Sequence, residues 1–149
     1  AAGAGYFVAF HFDPVIPYPG WEDEYVSLVD ALYDAVPAER IVWISMGGFR
    51  YAPGFRDAVR TRFPGEDLTL AEMFPGRDGK LRYFRPERRR IYTLLSDRIR
   101  SKEGRPFVYL CMEDSDMWRD VFGDSYSSSM ELELCLSDYL RRNFLHGPR

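Results

Sequence analysis

The sequence of 149 residues contains no long apolar run. A helix that crosses a bilayer needs about 18 to 20 such residues, so we expect no membrane partner. Disorder is excluded as well, because the hydrophobic content is 46% and the aromatic content is 16%. The chain therefore has enough apolar material to fill the core of one folded domain.

Cysteine is scarce, since Cys111 and Cys135 are the only two. Two thiols are too few for a disulfide scaffold, an all-cysteine zinc site or an iron–sulfur cluster, so the sequence predicts no metal site. A reducing, cytoplasmic location is the expectation. We expect both cysteines to lie in the core, Cys111 as a buried thiol rather than a nucleophile.

The common catalytic motifs are missing too. There is no P-loop, no G-x-G-x-x-G, no G-x-S-x-G and no H-E-x-x-H. These absences leave the catalytic residues unassigned. The first five residues have no signal-peptide pattern, and we interpret residues 1–5 as a truncated turn before a strand, so that the chain is expected to be part of a longer protein.

Hydrophobic periodicity predicts strands that alternate with helices. The strands are nearly continuous in apolar residues, as is typical of parallel sheets covered on both faces, and Asp13-Pro14 is expected to end the first. Segments with apolar residues at helical spacing lie between the strands. Asp114 is a candidate N-cap for the helix that follows it. The predicted strands are 6–12, 41–46 and 107–112, and the predicted helices are 21–36, 55–63, 86–103, 115–122 and 129–144.

A β-hairpin is predicted at about residues 72–85. Asp78-Gly79 is a strong hairpin signal when apolar residues flank it, as they do here. Residues 68–74 are a weaker strand candidate. The whole pattern is α/β with parallel strands, in one domain covering residues 1–149. Three strong strands form an open half-sheet, either a small doubly wound domain or part of a barrel.

The charge distribution is uneven. Eleven basic residues and four acidic ones lie between Arg77 and Arg105, so this segment has a net charge of +7 and the rest of the chain has a net charge of −10. Arginine pairs with phosphates and stacks on bases, and Tyr83 and Phe84 lie among the arginines, which favours contact with nucleic acid. The alternative is a solvated helix face that pairs with the acidic helices elsewhere.

Polar residues follow the predicted parallel strands at the ends where such folds place their ligand sites. His11 and Asp13 alternate along the first strand, Ser45 lies at the end of the second and Glu113 at the end of the third. Each also has a structural interpretation: Asp13 or a backbone carbonyl satisfies His11, Ser45 precedes a plain turn at Gly47-Gly48, and Glu113 simply precedes a helix. His146 in the terminal tail is expected to be solvated.

Several ordered motifs together resemble the C-terminal half of the radical SAM proteins related to spore photoproduct lyase, often described as DNA repair photolyases. The resemblance runs from about residue 5 to residue 123 and implies a partial (β/α)6 TIM-like barrel with a β-hairpin insertion. The motifs are Phe10-His11-Phe12-Asp13-Pro14, Trp21, Trp43-Ile44-Ser45-Met46-Gly47, the segment from Asp78 to Pro86, and Val108-Tyr109-Leu110-Cys111-Met112-Glu113.

The resemblance also implies a function. S-adenosylmethionine and a 4Fe-4S cluster would lie at the strand ends of the full-length parent, whose N-terminal half supplies the cluster cysteines that this chain lacks. A 5′-deoxyadenosyl radical would act on pyrimidine lesions in DNA. The alternative is a non-catalytic α/β module that binds nucleic acid. By the resemblance, His11, Asp13, Ser45 and Glu113 would bind the cofactor, and Arg82, Tyr83 and Arg85 would contact DNA.

The resemblance includes one departure. The His11-Phe12-Asp13-Pro14 string is not a feature of the photoproduct lyases of spore-forming bacteria. The sequence therefore indicates a broader branch of the family, for which reversal of a thymine dimer is one option among the lesions.

Overall fold

A computed structural model of the chain describes residues 2–104 and 106–145. Short 3₁₀ turns occur at Ala2–Ala4 and Ala38–Arg40, and a π turn at Arg141–Leu145 follows the last helix. His146 lies outside the described residues. In chain order the elements are β1 (Val8–Val15), α1 (Trp21–Ala35), β2 (Ile41–Gly48), β3 (Arg50–Tyr51), α2 (Phe55–Arg62), β4 (Met73–Pro75), β5 (Leu81–Tyr83), α3 (Arg85–Arg100), β6 (Phe107–Leu110), α4 (Ser115–Phe122) and α5 (Ser129–Leu140).

A parallel sheet forms the centre of the fold, with strand order β1-β2-β6. Its register places His11 beside Ser45 and Ser45 beside Tyr109, so one residue from each strand lies in a single row. The predicted α/β class with parallel strands is confirmed. The described residues form an open three-stranded sheet, so the closed barrel stays an expectation.

A second, antiparallel sheet contains the hairpin, with strand order β3-β5-β4. The hairpin prediction is confirmed: the turn is closed by hydrogen bonds from Gly76 N to Lys80 O at 2.8 Å and from Gly79 N to Gly76 O at 3.0 Å. Gly79 has a φ of 76°, a conformation that glycine adopts without strain. The two-residue strand β3 was not predicted, because so short a segment carries no periodicity.

The two faces of the parallel sheet differ. Alternate residues point to one side, where helices α1, α3 and α4 cover them. The opposite face contains His11, Trp43, Ser45 and Tyr109, and only Ser45 among these is fully buried. The buried core residues of β2, β6, α1, α3 and α4 include Ile44, Met46, Leu110, Val29, Ile91, Leu95 and Met117.

The strand ends differ from the sequence prediction. Asp13-Pro14 does not end β1, which runs on to Val15 through an irregular register, and the Val15 carbonyl accepts a hydrogen bond from Phe49 N at 3.0 Å. Proline is tolerated there because the pairing with β2 is interrupted between Phe12 and Val15. The first strand is therefore longer than Pro14 suggested.

Three other predictions are corrected. Of the weaker candidate at residues 68–74, only Met73 and Phe74 belong to a strand, which runs Met73–Pro75. The last helix ends at Leu140 and not at residue 144. Cys135 is exposed, because α5 directs Leu132 and Tyr139 toward the protein instead. No helix in the described ranges is long and apolar enough to cross a membrane.

The outer edges of the parallel sheet are open, which yields a first prediction. No described strand pairs with the outer side of β1 or β6, and an apolar groove of about 370 Å³ lies between β1 and α1, next to Leu28, whose exposed fraction is 52%. Unpaired edges and apolar grooves favour association between chains. We expect the 149-residue chain to self-associate as its concentration rises, as measured by sedimentation velocity.

Leu28→Lys should reduce this association, because it introduces a charge beside the groove. Leu134→Lys is the matched control, since Leu134 is also exposed but lies on α5. A monodisperse monomer at high concentration, or equal effects of the two substitutions, would contradict the prediction.

Candidate functional site

Polar residues meet where the three parallel strands end. Asp13 lies near the end of β1, and Cys111 and Glu113 follow the end of β6. Ser45 lies in the second half of β2 and pairs with Tyr109, one residue before the end of β6. The parallel arrangement brings these ends to one edge of the sheet. All four predicted cofactor-binding residues, His11 included, thus lie at or near this edge.

His11 and Ser45 form the first part of the site. The Nδ1 atom of His11 lies 2.6 Å from Ser45 Oγ, and the imidazole makes an edge-to-face contact with Trp43 at 4.7 Å between ring centroids. Burial raises the pKa of Tyr109, and a hydrogen bond to Ser45 partly offsets this rise. Because His11 itself is exposed and its Nε2 atom has no hydrogen-bond partner among the described residues, it remains available to a ligand.

Asp13 belongs to a separate cluster. Arg50 donates two hydrogen bonds to its carboxylate, from Nη1 to Oδ1 at 2.9 Å and from Nη2 to Oδ2 at 3.0 Å, and also reaches Cys111 Sγ at 3.5 Å. Burial alone would raise the pKa of Asp13, but the bonds from Arg50 and Cys111 outweigh it and lower that pKa. Arg50 therefore joins β1 to β6 and engages the carboxylate of Asp13.

Cys111 is held as a thiol. Burial is the main cause that raises the pKa of its thiol, and the carboxylate of Asp13 raises that pKa further. A nucleophilic cysteine requires the opposite environment, one that lowers the pKa. The half-buried position therefore supports the structural interpretation of Cys111.

Glu113 forms the most buried charged cluster of the site. Its side chain is 4% exposed, forms an ion pair with Arg88 and accepts a hydrogen bond from the Tyr92 hydroxyl at 2.7 Å. The same hydroxyl accepts a hydrogen bond from Gly48 N at 2.8 Å. Burial, followed by the charge of Glu113, raises the pKa of Tyr92 well above its ordinary value. Glu113 thus connects the ends of β2 and β6 to α3.

Arg82 fastens the hairpin to the end of β6. Its guanidinium donates to the Met112 carbonyl at 3.0 Å and to Asp78 at 2.5 Å, and the residue is 8% exposed. Gly76 leaves the necessary space, because a Cβ atom there would lie 2.6 Å from Arg82 Nε. Met112 has a φ of 59°, unusual for a residue with a side chain. Arg82 is consequently engaged within the protein.

Tyr83 is placed differently from the sequence expectation. It is 6% exposed and packs with Phe49 at 6.5 Å between ring centroids, and burial raises its pKa to about 12. A ring in this position has no free face for a base, so a stacking role for Tyr83 does not agree with its burial. The next residue, Phe84, is 57% exposed and contacts Phe74 at 5.1 Å.

A cleft of about 470 Å³ lies between the hairpin and the end of β6. Phe74, Phe84 and Met112 provide apolar surface, and Arg77 and Arg85 provide positive charge. Arg85 forms an ion pair with Asp120 at 2.7 Å, and because the arginine is exposed, solvent screens the pair and it contributes little to stability. The cleft thus offers apolar and cationic groups together.

The basic segment is largely neutralised inside the protein. Four of its arginines form ion pairs: Arg82 with Asp78, Arg88 with Glu113, Arg90 with Glu22 and Arg98 with Asp30. Lys102 also pairs with Asp30, and the guanidinium of Arg100 lies over the Phe122 ring. The alternative stated from the sequence, a helix face paired with acidic residues elsewhere, accounts for most of α3. Arg105 lies outside the described residues.

Within residues 2–104 and 106–145, no group of three or more His, Cys, Asp and Glu side chains is arranged to hold a metal ion. A 4Fe-4S cluster needs three or more cysteine ligands, and Cys111 and Cys135 are the only two in the sequence. The residues of this chain therefore do not fit that cluster.

Comparison with known proteins gives similarity at the level of the fold. No protein-family model and no curated protein matches the chain. The structure is similar to that of a spore photoproduct lyase mutant with dinucleoside spore photoproduct, with a TM-score of 0.59 and 23% identity over 73% of this chain. A second mutant of that enzyme, with bound AdoMet and the same dinucleoside, gives a TM-score of 0.56 and 22% identity.

The chain spans about a third of those solved chains, 34% of their length. The fold resemblance inferred from the sequence is thereby confirmed. At this identity the comparison establishes a shared α/β architecture, and the activity of the whole protein is a separate question.

Three residues of the site were not identified from the sequence: Arg50, Arg88 and Tyr92. Arg88 and Tyr92 are four residues apart on α3 and therefore lie on one face of the helix, which was a detectable signal. Arg50 follows the Gly47-Gly48 strand end without any spacing that distinguishes it from a solvated arginine. Its role depends on contacts between distant segments.

The Tyr92 hydroxyl yields a second prediction. Tyr92→Phe leaves Gly48 N without its hydrogen-bond acceptor and removes the donor to Glu113 Oε1 in a buried site, so we expect the free energy of unfolding to fall by about 1 to 3 kcal/mol. Tyr18→Phe is the matched control, because Tyr18 bonds to Glu24 at the surface and its loss should cost less than about 0.5 kcal/mol. Urea-induced unfolding measures both, and equal losses would contradict the assignment.

The Asp13–Arg50 pair yields a third prediction, on pH. The pKa of Asp13 is lower in the folded protein than its ordinary value, so the stabilisation is present above about pH 4 and disappears as the pH falls through the lowered pKa. We expect Asp13→Asn to unfold at lower urea concentration than wild type at pH 7, with the difference shrinking below about pH 4. A difference that is constant from pH 7 to pH 3 would contradict this.

Proposed function

We propose that this chain is the C-terminal part of a radical SAM enzyme of the spore photoproduct lyase type, acting on pyrimidine lesions in DNA. The observation that carries the proposal is the meeting of polar residues at the parallel strand ends beside a basic aromatic hairpin, in a fold similar to that of spore photoproduct lyase. Ligands bind at these strand ends in open α/β sheets and in barrels.

The strand-end residues fit S-adenosylmethionine in part. The Nε2 atom of His11 has no partner among the described residues and lies on the sheet face that carries Trp43 and Tyr109, and such a group can bind a hydroxyl or an adenine edge of that cofactor. Asp13 and Glu113 are already engaged by Arg50 and by Arg88 and Tyr92. In this proposal His11 binds the cofactor directly, while Ser45, Asp13 and Glu113 position the surrounding backbone and side chains.

Bound S-adenosylmethionine, together with a reduced cluster held elsewhere in the full-length parent, supplies the radical chemistry. The cysteines that hold the cluster belong to the missing N-terminal half in this proposal. The contribution of this chain is to bind and orient, and to exclude water from the face of the sheet. Trp43 and Tyr109, which contact each other at 5.7 Å between ring centroids, form the apolar part of that face.

The hairpin is the proposed DNA contact. Arg85 exchanges its exposed partner Asp120 for a phosphate, and the exposed ring of Phe84 stacks on an unpaired base. Arg82 and Tyr83, being buried, act indirectly by holding the hairpin against β6 and the core. The nucleic-acid role expected for Arg82 and Tyr83 thus becomes a positioning role.

The direct test is repair by the intact protein. After anaerobic reconstitution with iron, sulfide and S-adenosylmethionine, we expect it to form 5′-deoxyadenosine and to convert dinucleoside spore photoproduct to thymidine products, both detected by mass spectrometry. His11→Ala should lower both yields while circular dichroism remains unchanged. DNA binding without either product would support the non-catalytic module instead.

The hairpin contacts yield a fourth prediction. Each lost phosphate contact lowers the logarithmic salt slope of duplex binding by about 0.9, so Arg85→Ala should flatten the slope by that amount. Phe84→Ala should weaken binding by about 1 to 3 kcal/mol at every salt concentration with little change in slope. Fluorescence anisotropy with a lesion-containing oligonucleotide measures both effects.

Arg142→Ala is the control for this experiment. Arg142 also forms an exposed ion pair, with Asp138, but it follows α5 near Phe144, which contacts Phe7 just before β1 at the opposite end of the strands. Its removal should leave the slope unchanged. Identical slopes for Arg85→Ala, Arg142→Ala and wild type would contradict the hairpin assignment.

A further inference from the structure

None of the eight residues of helix α2 is buried, a property that it shares with α5 among the described helices. Its N-terminal residue Phe55 contacts Tyr51 at 5.3 Å and Phe49 at 6.2 Å between ring centroids. A surface helix normally buries a continuous apolar stripe against the core. Most of the surface of α2 therefore has no partner among the described residues.

Positive charge without a partner is concentrated on this helix. Most arginines of the described chain form an ion pair, a hydrogen bond or a contact with an aromatic ring. Five form none of these with described residues, and three of the five are on α2. The five are Arg56, Arg60, Arg62, Arg77 and Arg89.

Arg56 and Arg60 are four residues apart, so they lie on the same face of α2 one turn apart. Phe63, directly after the helix, is 59% exposed, so an aromatic ring is present at the C-terminal end of α2. The one acidic residue of α2, Asp57, forms no ion pair with either arginine. Arginines beside an exposed ring match the groups that contact nucleic acid backbones and bases.

The position of α2 connects it to the hairpin. Tyr51 of β3 pairs with Leu81 of β5, and α2 begins four residues after Tyr51. In the antiparallel sheet, β3 lies at one edge and β4 at the other, with β5 between them. The arginines of α2 thus follow one edge of the sheet, while the hairpin with Arg77 lies at the other.

We propose that α2 is a second nucleic-acid contact, in which Arg56 and Arg60 bind backbone phosphates beyond the nucleotides held by the hairpin. The inference rests on the proposed function and extends it to substrate class: the substrate is a DNA strand several nucleotides longer than a dinucleotide. A strand bound at both the hairpin and α2 would have to continue beyond the two nucleosides of a dinucleoside.

The test compares two ligands of the intact protein. Arg56→Ala combined with Arg60→Ala should lower the logarithmic salt slope for a lesion-containing duplex by about two units, since each lost phosphate contact accounts for about 0.9. Affinity for dinucleoside spore photoproduct, which has no flanking phosphates, should remain unchanged. Fluorescence anisotropy measures the duplex and isothermal titration calorimetry the dinucleoside.

Two controls define the comparison. Arg141→Ala combined with Arg142→Ala removes the same charge from the segment after α5 and should leave both affinities unchanged. Arg56→Lys combined with Arg60→Lys keeps the charge and should retain most of the salt slope.

The outcomes separate this inference from the proposed function. A wild-type slope in the α2 alanine variant, with a slope still reduced by Arg85→Ala, would overturn the α2 contact alone. Equal losses for the duplex and the dinucleoside would also overturn it, because they would show a general effect on the site. A wild-type protein that binds neither ligand would overturn both proposals.

Discussion

The buried carboxylate of Glu113 is the interaction on which the strand-end site depends. It follows β6, pairs with Arg88 and accepts a hydrogen bond from Tyr92, both on α3. Tyr92 in turn accepts from Gly48 N at the end of β2. Removing one partner of such a buried pair typically costs about 3 to 5 kcal/mol, because the remaining charge is left without compensation. The network therefore fixes the spacing of two strand ends and a helix at once.

Arg50 and Arg82 complete this arrangement. Arg50 joins Asp13 to Cys111, and Arg82 holds the Met112 carbonyl between Cys111 and Glu113. Asp13 and Glu113, the carboxylates that the sequence suggested as ligands, thus form ion pairs with Arg50 and Arg88. His11 differs from them, because it combines a place at the strand ends with an exposed ring. The site is a network of paired charges beside one imidazole whose Nε2 atom has no partner among the described residues.

The fold was largely predictable because its signals are local. The strand at 41–46, the helix from Trp21 and the Asp78-Gly79 turn follow from periodicity and turn chemistry, and each is present. The site was less predictable, because its partners are far apart in sequence. Arg82 and Tyr83 look exposed in a basic hairpin, yet contacts with Met112 and Phe49 bury them.

Charge shows the same limit. The net charge of +7 between Arg77 and Arg105 suggested a single basic surface. Several arginines of α3 instead form ion pairs with Glu22, Asp30 and Glu113. Three of the five unpartnered arginines lie instead on α2, a segment that the charge count did not single out. An electrostatic footprint depends on which charges remain unpaired after folding, and a count along the sequence does not include that information.

Under the proposed function, the sheet face that carries His11, Trp43 and Tyr109 forms the interior of a larger barrel. A crystal structure of the intact protein under anaerobic conditions tests this placement. We expect another parallel strand to pair with the outer edge of β1, and His11, Trp43 and Tyr109 to face an enclosed cavity that holds S-adenosylmethionine. A face covered by a packed helix or a second sheet, with β1 still at the edge, would contradict it.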